Sequence, residues 1–204
     1  GQVNTGGGKY AISGAGTVFG LRYVQLLPKR GDWEHKLVFG FDWRAYTNNV
    51  TVVNDTTKLV PDATVHPVSI VWQGTEKKAD SELSAYLGFS QNIPGGTDGT
   101  DDDFQALGGR PGAKANYQLW RYGFNFQKAF ANDWAFRTNL NGQYTNQMLI
   151  VAEMFGVGGA ESVRGFLERE HSNDTGHRGS IEVYSPELGR NLSDQLKLRV
   201  LGFY

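Results

Sequence analysis

The stretch HKLVFGFDWRAY, residues 35–46, alternates along its whole length. Successive side chains of an extended strand point to opposite faces, so Leu37, Phe39, Phe41, Trp43 and Ala45 share one face. Lys36, Gly40, Asp42, Arg44 and Tyr46 share the other. One face is apolar and the other is charged.

The same period recurs downstream. In SELSAYLGFSQ, residues 81–91, Leu83, Ala85, Leu87 and Phe89 oppose Glu82, Ser84, Tyr86, Gly88 and Ser90. In YQLWRYGFNFQK, residues 117–128, Trp120, Tyr122, Phe124 and Phe126 oppose Arg121, Gly123, Asn125 and Gln127. In WAFRTNLNGQYTNQ, residues 134–147, Trp134, Phe136, Leu140 and Tyr144 oppose Arg137, Asn139, Asn141 and Gln143. Less regular strands are expected at roughly 14–27, 66–74, 177–185 and 195–204, which makes about eight in all.

Composition agrees with an all-β chain. The 204 residues include 27 Gly, 12 Phe, 9 Tyr and 5 Trp, a profile of pleated surfaces and tight turns, and no helical period persists for three turns. The mean hydropathy of -0.43 and the absence of a long apolar run exclude a membrane-spanning helix. They do not exclude a membrane barrel, whose strands meet lipid only at every second residue. With no Cys, disulfide frameworks and thiolate metal sites are ruled out. A net charge of -1, from 20 basic and 21 acidic residues, leaves no footprint for nucleic acid. The first residues, GQVNTGGGKY, lack the basic and apolar regions of a leader and read as a mature start or a fragment.

A soluble sandwich with one wet face gives the same alternation. Loop lengths separate the two. The short turns PKRGDWE, GTEKKAD and KAFANDW alternate with long links at 48–65, 91–115 and 150–176. Short turns at one end and long loops at the other characterise outer-membrane barrels, and tryptophans and tyrosines near strand ends agree with interfacial girdles. The fold class expected is therefore a transmembrane antiparallel β-barrel.

The third long link contains FGVGGAESVRGFLERE, residues 155–170, followed by GHRGSIEVYSPEL, residues 176–188. Together they resemble the signature region of the Omp85 superfamily, and within it the two-partner secretion transporters (TpsB) of the haemolysin activation/secretion type, ShlB/FhaC/HecB. The resemblance covers essentially the whole chain. It implies that residues 1–204 are part of one C-terminal barrel domain, supplying about eight of about sixteen strands. Periplasmic POTRA domains and the last strands would lie outside the chain. The ending QLKLRVLGFY imitates the C-terminal signal of a complete barrel, but an eight-stranded barrel fills its interior with side chains and leaves no room for a long inward loop.

The resemblance further implies that this sixth extracellular loop folds into the lumen, with Val163, Arg164, Gly165 and Phe166 anchoring its tip to the inner wall and Gly158 and Gly159 shaping its approach. Physical chemistry gives the arginine a role of its own. A planar guanidinium fork holds a carboxylate bidentately, and partial desolvation strengthens that pair over a surface one. In the family the partner is an aspartate on a strand whose motif would begin where this chain stops. Within the chain the candidate is Glu182, placed on the lumenal face between Ile181 and Val183, though an ordinary lumen-facing carboxylate reads the same. An isolated SVRGF would be a surface turn with a solvated arginine.

No catalytic constellation is found. His35, His66, His171 and His177 lack metal-ligand spacing, Ser162 has no adjacent base, and no cofactor, metal or enzymatic activity is expected. GGTDGTDDD reads as a solvated extracellular loop without the ligand register of a calcium hand, and no helix is expected after NIPGG. The function implied is a pore in the outer membrane of a Gram-negative bacterium. It would secrete, and help activate, an unfolded TpsA-type exoprotein such as a haemolysin or adhesin, with outer-membrane lipid and lipopolysaccharide as surroundings. A barrel-assembly insertase of the BamA/TamA type and a passive porin are the alternatives.

Overall fold

A computed structural model describes residues 2–5, 8–52, 59–159, 166–167, 169–189 and 198–204, with side chains described from residue 15 onward except at 49–52. Twelve strands and one short helix follow in order: β1 (Gln2–Thr5), β2 (Gly8–Leu26), β3 (Trp33–Val52), β4 (Ala63–Val65), β5 (Pro67–Lys77), β6 (Ser81–Asn92), α1 (Asp101–Gln105), β7 (Gln118–Ala129), β8 (Ala135–Tyr144), β9 (Phe155–Val157), β10 (His171–Asn173), β11 (Gly176–Tyr184) and β12 (Leu201–Phe203). All but β9 and β10 belong to one antiparallel sheet of order β1-β2-β3-β5-β6-β7-β8-β11-β12, with β4 added on β3. The strands of this path follow chain order, β4 lying beside it and β9 and β10 outside it, and among the described residues the sheet does not close on itself.

The alternation read from the sequence sets the two faces. Phe19, Leu21, Phe39, Phe41, Trp43, Val68, Ile70, Leu87, Trp120, Ile181 and Val183 form an outer face and stay exposed, since no second sheet covers them among the described residues. A wet-faced sandwich would bury this face under another sheet, and the described residues place none there. Aromatic pairs reinforce the outer face, with Phe89 and Trp120 rings at 4.9 Å and Trp33 and Trp72 at 6.4 Å.

The connections sort by end. Residues 27–32, 78–80 and 130–134 turn at one end, where Gly31 and Asp133 adopt positive φ of 60° and 63°. Residues 93–117 and 145–175 lie at the other. The strands at the amino end are longer than alternation indicates: β2 and β3 pair from Tyr10↔Val52 to Leu26↔Lys36. Of the expected strand 195–204, residues 195–197 lie outside the described residues and β12 takes Leu201–Phe203, while Ser185 N–H to Val200 O at 2.9 Å and Leu188 N–H to Leu198 O at 2.8 Å continue the pairing toward the short-turn end.

The acidic link departs from a plain solvated loop. Thr100 caps α1, its hydroxyl accepting from Asp103 N–H while the Asp103 carboxylate accepts from Thr100 N–H at 2.9 Å. Phe104 then drops into a cluster with Ala63, Val65, Ala113, Ala115, Tyr117, Leu119, Leu149 and Ile150, all buried. A helix thus follows NIPGG after all, because a capping box in TDDD starts it and the burial of Phe104, worth about 1.5–3 kcal/mol, holds it. This small core lies at the long-loop end and brings three connections together.

Candidate functional site

The inner face carries the charge. Asp42, Arg44 and Tyr46 project from β3, Arg121 from β7 and Gln143 from β8, as alternation requires. Gly20 and Gly40 make room for them. A Cβ on Gly40 would crowd the Arg22 side chain, and one on Gly20 would meet the Asp42 carboxylate. Across that gap Arg22 pairs with Asp42 at 2.7 Å, and Arg44 holds the other Asp42 oxygen at 2.6 Å.

Into this wall the third long link inserts Glu153. A single 3-10 turn, Val151–Glu153, points its side chain at the inner face, where it is 3 % exposed. Oε1 accepts from Arg44 Nη1 at 3.0 Å and from the Tyr46 hydroxyl at 2.9 Å, and Oε2 accepts from Arg121 Nη2 at 3.1 Å. Both carboxylate oxygens are used, and the two arginines come from strands separated by β5 and β6. A buried carboxylate is tolerable only with such compensation. The Tyr117 hydroxyl is also buried, and it has no partner among the described residues.

The return leg of the same link is held as firmly. Asp174 accepts from both terminal nitrogens of Arg110, with Nη2 to Oδ2 at 2.8 Å, and from Leu149 N–H at 3.0 Å. Arg110 also donates to Leu149 O at 2.8 Å. Gln143 joins the legs, its amide donating to Glu153 O at 2.9 Å and Asp174 O at 3.0 Å while its oxygen accepts from Arg121 Nε at 3.0 Å. β9 and β10 then zip the legs together from Phe155↔Asn173 to Val157↔His171. Burial alone would raise the Asp174 carboxyl. The bonds from Arg110 and Leu149 N–H outweigh it and hold the group below its ordinary value of 3.8.

Of the residues singled out in the sequence, Val163, Arg164 and Gly165 lie outside the described residues. Gly158 and Gly159 adopt φ of +119° and +97°, a region that L side chains avoid, and a Cβ on Gly158 would overlap the Leu167 carbonyl. Phe166 is half-exposed with its ring 6.2 Å from that of His171. Glu182 sits on the inner face as expected, opposite Arg137 and Phe203 in register, and accepts from the Tyr184 hydroxyl at 2.7 Å. Sequence reasoning missed Glu153, Asp174 and Arg110, and placed Gln143 on the inner face without its partners. The signal for Glu153 was present: it is the one ionisable residue in MLIVAEMFGV, residues 148–157.

Comparison with known proteins gives the context. The family model for the haemolysin secretion/activation protein ShlB/FhaC/HecB matches residues 1–199. A search of curated proteins by sequence finds no significant match. Among solved structures the chain is similar to CdiB from Escherichia coli, with a TM-score of 0.72 and 19% identity, covering 90% of this chain and 33% of that one. It is similar also to CdiB from Acinetobacter baumannii, with a TM-score of 0.65 and 17% identity, covering 86% and 29%. At such identity the likeness shows the fold, a wall of a transmembrane β-barrel, and the chain spans about a third of the length of these structures. With the family model matched over nearly its whole length, the chain belongs to the haemolysin secretion/activation family ShlB/FhaC/HecB.

Proposed function

We propose that this chain is part of the barrel wall of a two-partner secretion transporter in the outer membrane of a Gram-negative bacterium. It would pass an unfolded TpsA-type exoprotein, such as a haemolysin or adhesin, along the inner face. Lipid and lipopolysaccharide would meet the outer face. The observation that carries the reading is the attachment of the 145–175 link to the charged inner face through Glu153, because a loop rooted inside a barrel narrows the path that a polypeptide takes. The family match over residues 1–199 supports it. In this reading Arg164 fixes the loop tip to a lumenal carboxylate, Val163 and Phe166 pack beside it, and the barrel performs no chemistry on its cargo.

The test is secretion of the partner by the full-length protein carrying Arg164→Ala or Arg164→Lys. Arg164→Ala should reach the membrane at normal levels and lose most secretion, and Arg164→Lys should not restore it, since an ammonium keeps the charge and loses the fork. Wild-type secretion from Arg164→Ala would remove the anchor from the account. A wild-type protein that secretes no partner but speeds the insertion of other barrel proteins into liposomes would replace the transporter with an assembly insertase.

A further inference from the structure

Two carboxylates on the two legs of one loop are each saturated by arginines from elements outside it. Glu153 on the outgoing leg holds Arg44 of β3 and Arg121 of β7, and Asp174 on the return leg holds Arg110 of the 93–117 connection. The Gln143 side chain ties both legs to β8. Met148, at the start of the outgoing leg, forms an isolated parallel bridge with Ala113, and Lys114 N–H donates to Met148 O at 2.9 Å. Arg169 donates to Met154 O at 2.9 Å and Arg178 covers the Phe155 ring at 5.8 Å.

These contacts form a ring of bonds around the root of the loop, drawn from β3, β7, β8 and the neighbouring connection. Releasing the root would strip the Glu153 carboxylate of both arginines and the Tyr46 hydroxyl at once, and would leave Arg44 with Asp42 and Arg121 with the Gln143 oxygen. That is the costly way to break an ion pair. Replacing one such contact by another of equal strength needs a second arrangement, and none of these side chains has a second carboxylate within its described contacts except Arg44, already committed to Asp42.

We propose that Glu153 is a positioning residue which, with Asp174, makes the root of the loop a fixed collar on the inner wall, and that this collar stays closed while a polypeptide is secreted. The second half rests on the transporter reading above, and the first half does not.

The test uses the full-length protein in the outer membrane. The 204 residues contain no cysteine, so within them an introduced pair meets no native thiol. Ala113→Cys with Met148→Cys would staple the outgoing leg to the neighbouring connection, and Val157→Cys with His171→Cys would staple the legs to each other, each across bridge partners. Oxidised and reduced forms of both pairs should secrete equally, within about twofold. Loss of secretion on oxidation that a reductant restores would overturn the closed collar. A second readout needs no secreted partner. In intact cells, Glu153→Gln and Arg121→Gln should raise trypsin cleavage after Arg169 about tenfold or more, while the heat-modifiable migration of the folded barrel stays unchanged. Unchanged cleavage in both variants would overturn the collar whatever secretion does, whereas raised cleavage in a protein that secretes nothing would keep the collar and reject the transporter.

Discussion

At the scale of single residues, alternation predicts which face a side chain occupies but not what it touches there. Asp42 and Arg44 were legible as inward charges. The second partner of Arg44 was not, because Glu153 lies 109 residues away in a turn that no period describes. Charge buried in an apolar run is the one local clue, and it points to a need for partners without naming them. Asp174 gave no clue at all, since HSNDTG reads as ordinary turn chemistry. Its latch with Arg110 has a pH signature. A carboxyl held below its unfolded value contributes stability that is fully present above that value and is lost as pH falls through the folded one. Acidification from about pH 7 to about 5 should therefore leave the latch intact, with release only below about 3.8. Hydrogen exchange over residues 171–176, corrected for its intrinsic pH dependence, measures this. Arg110→Gln should show at neutral pH the loss of protection that the parent shows only in strong acid, and protection falling already between pH 6 and 5 would assign the latch to another group.

At the scale of elements, the eight strands read from period-2 patterning match β2, β3, β5, β6, β7, β8, β11 and β12. Their inward and outward sets also agree, because one register shift would have exchanged every residue between faces. Short elements escaped. β4, β9, β10 and α1 hold only 3 to 5 residues each, too few to show any period, and they form through contacts made elsewhere: β4 on Arg44 to Tyr46, α1 through Phe104. The Gly20 and Gly40 gap under Arg22 was likewise invisible, since a glycine in a strand does not announce which side chain lies over it. The two faces give a direct test. In the full-length protein, Phe41→Arg or Leu87→Arg should reduce folded barrel in the membrane, as an arginine at mid-membrane on a lipid-facing strand costs about 2–4 kcal/mol. Ser84→Arg on the inner face should assemble normally beside Glu82. Asp42 is a poor control despite facing inward, because it is buried between Arg22 and Arg44. Equal loss from the outer and inner substitutions would mean that both faces are packed, and the membrane assignment would fall.

At the scale of the whole molecule, every strand of the main path pairs with the next one in it and runs antiparallel, so connections must alternate between two ends. That geometry fixes the relation among connections absolutely: residues 27–32, 78–80 and 130–134 share one end and residues 93–117 and 145–175 share the other. Which end faces the cell exterior depends on the membrane reading, and labelling decides it. Single cysteines at Asp32 and Asn132 in turns and at Lys77 at the end of β5, all exposed, should react with an impermeant maleimide only after the outer membrane is permeabilised. A cysteine at Asp102, exposed in the capped acidic connection, should react on intact cells. Gly99 is unsuitable for this purpose because a side chain there would collide with the Gly95 carbonyl. The three positions at the short-turn end must behave alike, since antiparallel pairing leaves no way to move one of them to the other side without breaking a ladder. Labelling of all four positions on intact cells would end the barrel assignment, and labelling of these three alone would keep the barrel and invert it.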